Sequence, residues 1–159
     1  MLSEKFYEVL EHEGVVSIVS WGAGEPHIVN TWNSYLVVTS DERILIPAYA
    51  MRKTEKNLAQ NNKLKMALGT KDVLGYKDYQ GTGFVVEGTG KYLESGSEYE
   101  MMKKKFSFLT RVLEVTVTSA KQMLLFGGIT VGGRDLSGIP DKSLPPTCMW
   151  SVFLHQHLF

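Results

Sequence analysis

The sequence predicts a mainly β fold, an antiparallel barrel with helical caps. Three observations point to it. Short apolar segments, several with period-two alternation, are separated by clusters of Gly, Pro, Asn, Asp and Ser. Helical periodicity is confined to a few short stretches. The chain also carries 15 glycines and many Val, Ile and Tyr residues. At 159 residues, with 43% apolar and 21% charged content, it has the size and composition of one soluble globular domain.

Ser3 to Glu13 reads as a helix, with Ser3 as N-cap, Glu4 in the first turn and Gly14 as the stop. Phe6, Val9 and Leu10 share one face, with Tyr7 beside them. Val15 to Trp21 is a β-branched strand, and residues 22–26 are a turn by composition. His27 to Val38 completes a hairpin as the second strand. After a polar turn at 39–43, Ile44 to Pro47 is a short third strand. Lys53 to Gln60 reads as a helix with Leu58 and Ala59 inward. Lys63 to Thr70 is a fourth strand with Leu64, Met66 and Leu68 on one face. Lys71 to Gln80 is a polar loop, and Gly81 to Leu93 a fifth strand. Ser97 to Phe106 is a helix on Tyr99, Met102 and Phe106. Val112 to Thr118 is the sixth strand, with Leu113, Val115 and Val117 inward against Val112, Glu114, Thr116 and Thr118. No repeat of fixed period is present.

Residues 124–159 differ from the rest. They hold three of the five prolines, two of the four histidines and the glycine pairs Gly127-Gly128 and Gly132-Gly133, with little periodicity. They read as a C-terminal extension to a domain of residues 1–123. An arm across a partner subunit and an appendage unrelated to the core activity are both open.

Charge excludes some functions. Lys+Arg and Asp+Glu balance at 17 each, so nothing marks a nucleic-acid or anionic-membrane binder. Apolar runs fall short of a membrane span. The lone Cys148 cannot form an intramolecular disulfide, and no signal peptide is legible. Together these point to the cytoplasm.

Two stretches carry chemistry. In His27-Ile28-Val29-Asn30-Thr31-Trp32-Asn33-Ser34-Tyr35, polar side chains fall on both faces of a strand. Alternation sends Asn30, Trp32 and Ser34 one way, and Thr31, Asn33 and Tyr35 the other. Each polar group there needs solvent or a buried partner. A ligand on one face meets that need, with a neighbouring element or subunit on the other. The second stretch is Pro47-Ala48-Tyr49-Ala50-Met51-Arg52-Lys53-Thr54. It places two cations and a hydroxyl at a helix start, where the macrodipole favours acids. A bound anion, most often a phosphate, resolves that conflict. A solvated basic turn is the rival reading.

Other features are weaker. Gly81-Thr82-Gly83-Phe84 signals either close approach to a ligand or a structural bulge. His27 reads as structural and His12 as solvent-facing. His155 and His157 lack a third ligand, and Cys148 lacks a paired base. No catalytic triad, P-loop or dinucleotide fingerprint is present.

The run His27 to Leu36, the segment Pro47 to Glu55, Gly81 to Phe84 and the closing Val115-Thr116-Val117-Thr118-Ser119-Ala120 resemble small bacterial FMN-binding proteins. These belong to the pyridoxamine-phosphate-oxidase-like, FMN-binding split-barrel superfamily. The resemblance covers residues 1–123 and implies a six-stranded antiparallel split barrel, a homodimer, and one FMN per chain at the interface. On it, Lys53 and Thr54 would bind the FMN phosphate. Asn30, Thr31, Trp32 and Asn33 would line the isoalloxazine and ribityl chain. Pro47, Ala48, Tyr49, Ala50 and Met51 would pass the ring, Ala48 to Ala50 being bulkier than a glycine-rich turn, and Thr82 would be a further contact. Phe106 and Phe108 would either shield the flavin from the partner chain or pack in the core.

The function implied is electron transfer through FMN, with the redox partner unspecified. An NAD(P)H-dependent flavin reductase or a pyridoxamine-phosphate oxidase is the alternative within the superfamily. A barrel without cofactor, acting as a binding module, is the alternative outside it.

Overall fold

The computed structural model describes residues 2–123. Three helices and seven strands follow one another as α1 (Glu4–Leu10), β1 (Val15–Ser20), β2 (His27–Trp32), β3 (Val37–Val38), β4 (Arg43–Ala48), α2 (Arg52–Gln60), β5 (Lys63–Leu74), β6 (Gln80–Leu93), α3 (Ser97–Lys105) and β7 (Arg111–Met123). All strand pairs are antiparallel, in one sheet of order β2-β1-β5-β6-β7-β4-β3.

That order forces the sheet to curl. Its edges, β2 and β3, are joined through a single 3₁₀ turn at Asn33–Tyr35. From Trp32 to Val37 the chain reaches at most about 18 Å. A flat seven-stranded sheet would hold its edges about 29 Å apart. The sheet therefore bends into a half-barrel, with helices packed on it.

The count of seven corrects the expected six. The expected second strand, His27 to Val38, breaks in the middle because Asn33 turns its amide into the interior. Its Nδ2 donates to the carbonyls of Val9 (3.2 Å), His12 (3.0 Å) and Gly69 (3.4 Å). The backbone leaves the β2 ladder there, and β3 pairs with β4 at the far edge of the sheet. The expected loop at 71–80 is largely strand as well. β5 runs on to Leu74, Val73 is buried in the core, and only a 3₁₀ turn at Tyr76–Asp78 separates it from β6. The last strand likewise extends to Met123.

The main core fills the concave face. Val16, Ile18, Ile44, Ile46, Leu64, Met66, Leu68, Phe84, Val86, Leu113 and Val115 point into it. α1 caps it through Phe6 and Val9, and Phe6 meets Phe84 edge to face at 5.2 Å. Ser3 is the N-cap as expected, accepting from the Phe6 N–H. The helix ends at Leu10, before Gly14, which serves a different purpose. A Cβ on Gly14 would lie 1.9 Å from the Gly69 carbonyl, so its small size lets β1 enter beside β5. In α2, Leu58 is inward and Ala59 is exposed. Asn57 takes the inward place, donating to the backbone and hydroxyl of Ser20.

A second core lies on the outer face of β4 and β7. Leu45 and Val112 pack there against Met102, Phe106 and Leu109, under α3. This face explains the unbroken apolar run in β4, and it corrects the expected outward position of Val112. Glu114 shares the face and is 3% exposed. Its carboxylate is held by Arg43 on one oxygen and by Lys91 on the other, at 3.0 Å. Arg43 also bonds Glu98 of α3 and holds the Asp41 carboxyl down to about 2. Removing one partner of a buried carboxylate leaves charge uncompensated. We expect Arg43→Met to lower the midpoint of urea unfolding clearly, because it takes a partner from the buried Glu114 carboxylate. Lys91→Met should cost clearly less, since Lys91 lies mostly in solvent.

Candidate functional site

The start of α2 is built from the turn that ends β4. Pro47 and Ala48 are buried in the β4–β7 ladder, paired with Val112 and Arg111. Tyr49 and Ala50 then emerge into solvent, Tyr49 with 68% exposure. Met51 takes a left-handed conformation (φ 31, ψ 29) at the N-cap and packs its side chain against the core. A left-handed methionine is uncommon, and such strain is held only where neighbours enforce it.

The neighbours take every carbonyl of the turn. The Thr110 N–H and hydroxyl donate to Ala48 O at 2.9 and 3.2 Å, and the hydroxyl also donates to Tyr49 O at 3.0 Å. Arg111 Nη2 donates to Ala50 O at 2.8 Å. Met51 O accepts from the Glu55 N–H at 3.0 Å and from the Tyr92 hydroxyl at 3.5 Å. Burial pushes the Tyr92 phenol well above its ordinary value, so it stays a donor.

The donors of the same stretch are left over. Among the described residues, no hydrogen bond uses the amide N–H of Tyr49, Ala50, Met51, Arg52, Lys53 or Thr54; the first helical bond is that of Glu55. Arg52 and Lys53 are exposed and form no ion pair with a described residue. The Thr54 side chain is fully buried, and its hydroxyl has no partner among the described residues. The N–H groups, two cations and a hydroxyl without partners among the described residues have the chemistry that suits an anion. Beside it, Tyr49, Ala50, Arg52, Thr110 and Arg111 line a surface cleft of ≈ 340 Å³.

The residues of β2 lie close to this helix, which packs against β1, β2 and β6. Alternation holds as the sequence indicates: Asn30 and Trp32 face outward, Thr31 and Asn33 inward. Trp32 is half exposed, and Asn30 accepts a hydrogen bond from Ser17 at 2.9 Å. Asn33 is fully buried and committed to backbone carbonyls, although its Oδ1 has no partner. Thr82 is placed elsewhere in the chain. Its hydroxyl accepts from Gln122 at 3.0 Å. It stands eight residues along β6 from Gly90, which lies under Leu58 of α2, a span of at most about 26 Å. The neighbouring Gly83 serves the sheet, because a Cβ there would meet the Leu68 carbonyl at 2.5 Å.

Phe106, Phe108 and Tyr35 form a cluster with ring centroids 5.4 to 6.1 Å apart. Phe106 belongs to the outer core, and Phe108 is 45% exposed. His12 is half-buried, and its carbonyl is one of those held by Asn33. No group of three or more metal-ligating side chains occurs among the described residues. Cys148, His155 and His157 lie outside the described residues.

Sequence reasoning missed Thr110, Arg111, Glu55 and Tyr92 as parts of this turn. Only the threonine-arginine pair opening the last strand was a signal, and nothing local links it to residue 50.

Fold and site together define a curled antiparallel half-barrel with an anion-receptive helix start. The chain belongs to the pyridoxamine 5′-phosphate oxidase family, whose model matches residues 2–124. It is 43% identical, over 124 residues, to an FMN-binding protein of Nitratidesulfovibrio vulgaris (strain DSM 19637 / Miyazaki F). That match covers 78% of this chain and 100% of the relative. Solved structures share the fold at lower identity. Group A Streptococcus HupZ superposes with TM-score 0.64 at 17% identity, covering 77% of this chain and 94% of its own. An FMN-binding protein from Syntrophomonas wolfei superposes with TM-score 0.61 at 18% identity, covering 77% and 86%. No helix among the described residues is long and apolar enough to cross a membrane.

Proposed function

We propose that this chain binds one FMN non-covalently at an interface between two copies of itself and uses it to transfer electrons. One observation carries the reading: the buried Thr54 hydroxyl, without a partner among the described residues, at a helix start whose N–H groups and cations those residues leave unused. An unsatisfied buried hydroxyl is costly unless a ligand completes it. A phosphate monoester fits, since it offers several strong acceptors and a charge of about −2. Lys53 and Thr54 hold the phosphate, with Arg52 adding charge from solvent. Trp32, with Asn30, lines the ring and ribityl chain; Thr31 reaches the ligand only through its backbone, its side chain being turned inward with Asn33, which supports that strand from inside. Pro47 to Met51 pass the ring, and the N–H groups of Tyr49, Ala50 and Met51 are the donors that segment can offer it. Thr82 is 1% exposed and accepts from Gln122, so its hydroxyl is given no ligand contact in this reading.

FMN supplies the redox chemistry when bound; the chain supplies position and electrostatics. Arg52 and Lys53 are left to the anion, while other titratable side chains at the turn are engaged within the chain. Arg111 pairs with Glu55, and Tyr92 donates to Met51 O. That arrangement favours electron transfer over proton chemistry on a second substrate.

The outer face of β1 and β2 supports self-association. Val15 stands opposite Trp32 in register, with Ile28 further along, and all three are substantially exposed. Such apolar surface on a sheet is suited to burial against a second copy. We further infer that residues 124–159 are an extension to this unit. The whole length of the Nitratidesulfovibrio relative is matched by 124 residues of this chain.

The direct test is the absorption spectrum of freshly purified full-length protein, followed by acid release of the chromophore. We expect a flavin spectrum and released FMN, with a dimer by sedimentation. A colourless protein that stays colourless after incubation with FMN leaves a barrel acting as a binding module. The family match keeps one rival open, a flavin enzyme using NAD(P)H or pyridoxamine 5′-phosphate. Steady turnover of either compound would favour it over a carrier.

A further inference from the structure

The turn that opens α2 does not hold its own shape. Its four carbonyls are drawn away by side chains from β6 and β7 and by the helix: Thr110 on Ala48 and Tyr49, Arg111 on Ala50, Tyr92 on Met51. Arg111 itself is fixed from two sides, by its ion pair with Glu55 and by the Tyr92 ring 5.3 Å away. Each peptide is planar, so fixing its carbonyl on one side turns its N–H to the other. Where the carbonyls of 48 to 51 are pinned, the N–H groups of the next residues must face out together.

We propose that Glu55, Arg111 and Thr110 are positioning residues that keep these N–H groups aimed at the anion, with Glu55 favouring anion binding in spite of its charge. This rests on the reading of the α2 start as the phosphate site. Arg111 acts on the Ala50 carbonyl, and Glu55 acts by holding Arg111. Two opposing effects separate this from a simple electrostatic role. A carboxylate near an anion repels it, so removing the Glu55 charge should strengthen binding if Coulomb forces dominate. If positioning dominates, the same change frees Arg111, loosens the turn and weakens binding.

The test uses full-length Glu55→Gln and, should that variant fold poorly, the near-isosteric Thr110→Val. Amide resonances of residues 49–54 are followed by ¹⁵N NMR, first without ligand and then with FMN, riboflavin or inorganic phosphate. We expect both substitutions to shift the free amides. We expect Glu55→Gln to weaken FMN about ten-fold, the scale of one lost hydrogen bond to a charged group. Riboflavin, which lacks the phosphate, should lose far less. Unmoved amides, tighter or unchanged FMN binding in Glu55→Gln, or equal losses for FMN and riboflavin would each overturn the proposal. A wild-type protein that takes no FMN would defeat the flavin reading alone. The free amides and inorganic phosphate would still decide whether these side chains set the turn.

Discussion

Thr54→Val is expected to do two opposite things: stabilise the cofactor-free protein and weaken its hold on FMN. The Thr54 hydroxyl is fully buried without a partner among the described residues. Valine keeps nearly the same shape and removes the polar atom. Leaving a buried donor unsatisfied costs about 1–3 kcal/mol, and that cost disappears in the variant. On the proposed reading, the hydroxyl would donate to a phosphate oxygen in the complex, a charge-assisted bond worth about 1.5–3 kcal/mol. Its loss corresponds to roughly ten- to a hundred-fold in Kd. Lys53→Ala should weaken FMN on the same scale but leave the free protein's stability nearly unchanged, because Lys53 is exposed and unpaired among the described residues. Urea melts of the apoprotein and FMN titrations of the same samples read both quantities. An unchanged Kd in both variants would remove the phosphate from this helix. A less stable Thr54→Val apoprotein would mean that the hydroxyl already has a partner.

The second large effect is on the fold. Asn33→Ala is expected to lower unfolding free energy by about 3–5 kcal/mol, since it strips one amide from buried carbonyls and opens a cavity. The amide ties together the end of α1, through Val9 and His12, and β5, through Gly69. For a domain of this size the change corresponds to roughly 10–20 °C in Tm. Asn33→Asp should not rescue it, because an ionised carboxylate accepts and cannot donate to three carbonyls. Equal stability of wild type and Asn33→Ala in thermal and urea melts would show that water takes over these bonds. The residue then bears on ligand binding indirectly. Without it, the chain from Trp32 to Val37 loses the bend that closes the sheet on itself.

Much of this was legible in the sequence. Alternation in Lys63 to Thr70 identified Leu64, Met66 and Leu68 as core, and helical spacing identified Phe6, Val9 and Met102. The out-of-place cations at the start of α2 were visible as a conflict with the helix dipole. These are local statements. Periodicity and dipole preference need only residues within a turn or two of each other. The polar run from Asn30 to Ser34 was also visible, but its meaning was not. Sequence alone could not tell that Asn30 and Trp32 stay on the surface while Asn33 becomes an internal strut. That division depends on carbonyls 21 to 36 residues away.

By itself, then, the sequence determined most of the elements, the inward residues of α1 and β5 and the cationic helix start, because each follows from contacts within a few residues. The tertiary structure alone decided three other things. It broke one long strand into β2 and β3 and set them at opposite edges of a curled sheet. It buried Glu114 under α3, between Arg43 and Lys91. And it brought Thr110 and Arg111 across some sixty residues to the carbonyls of residues 48 to 50. Hydrogen-bond partners at that separation leave no periodic trace in a chain; only the register of β4 against β7 puts them within reach.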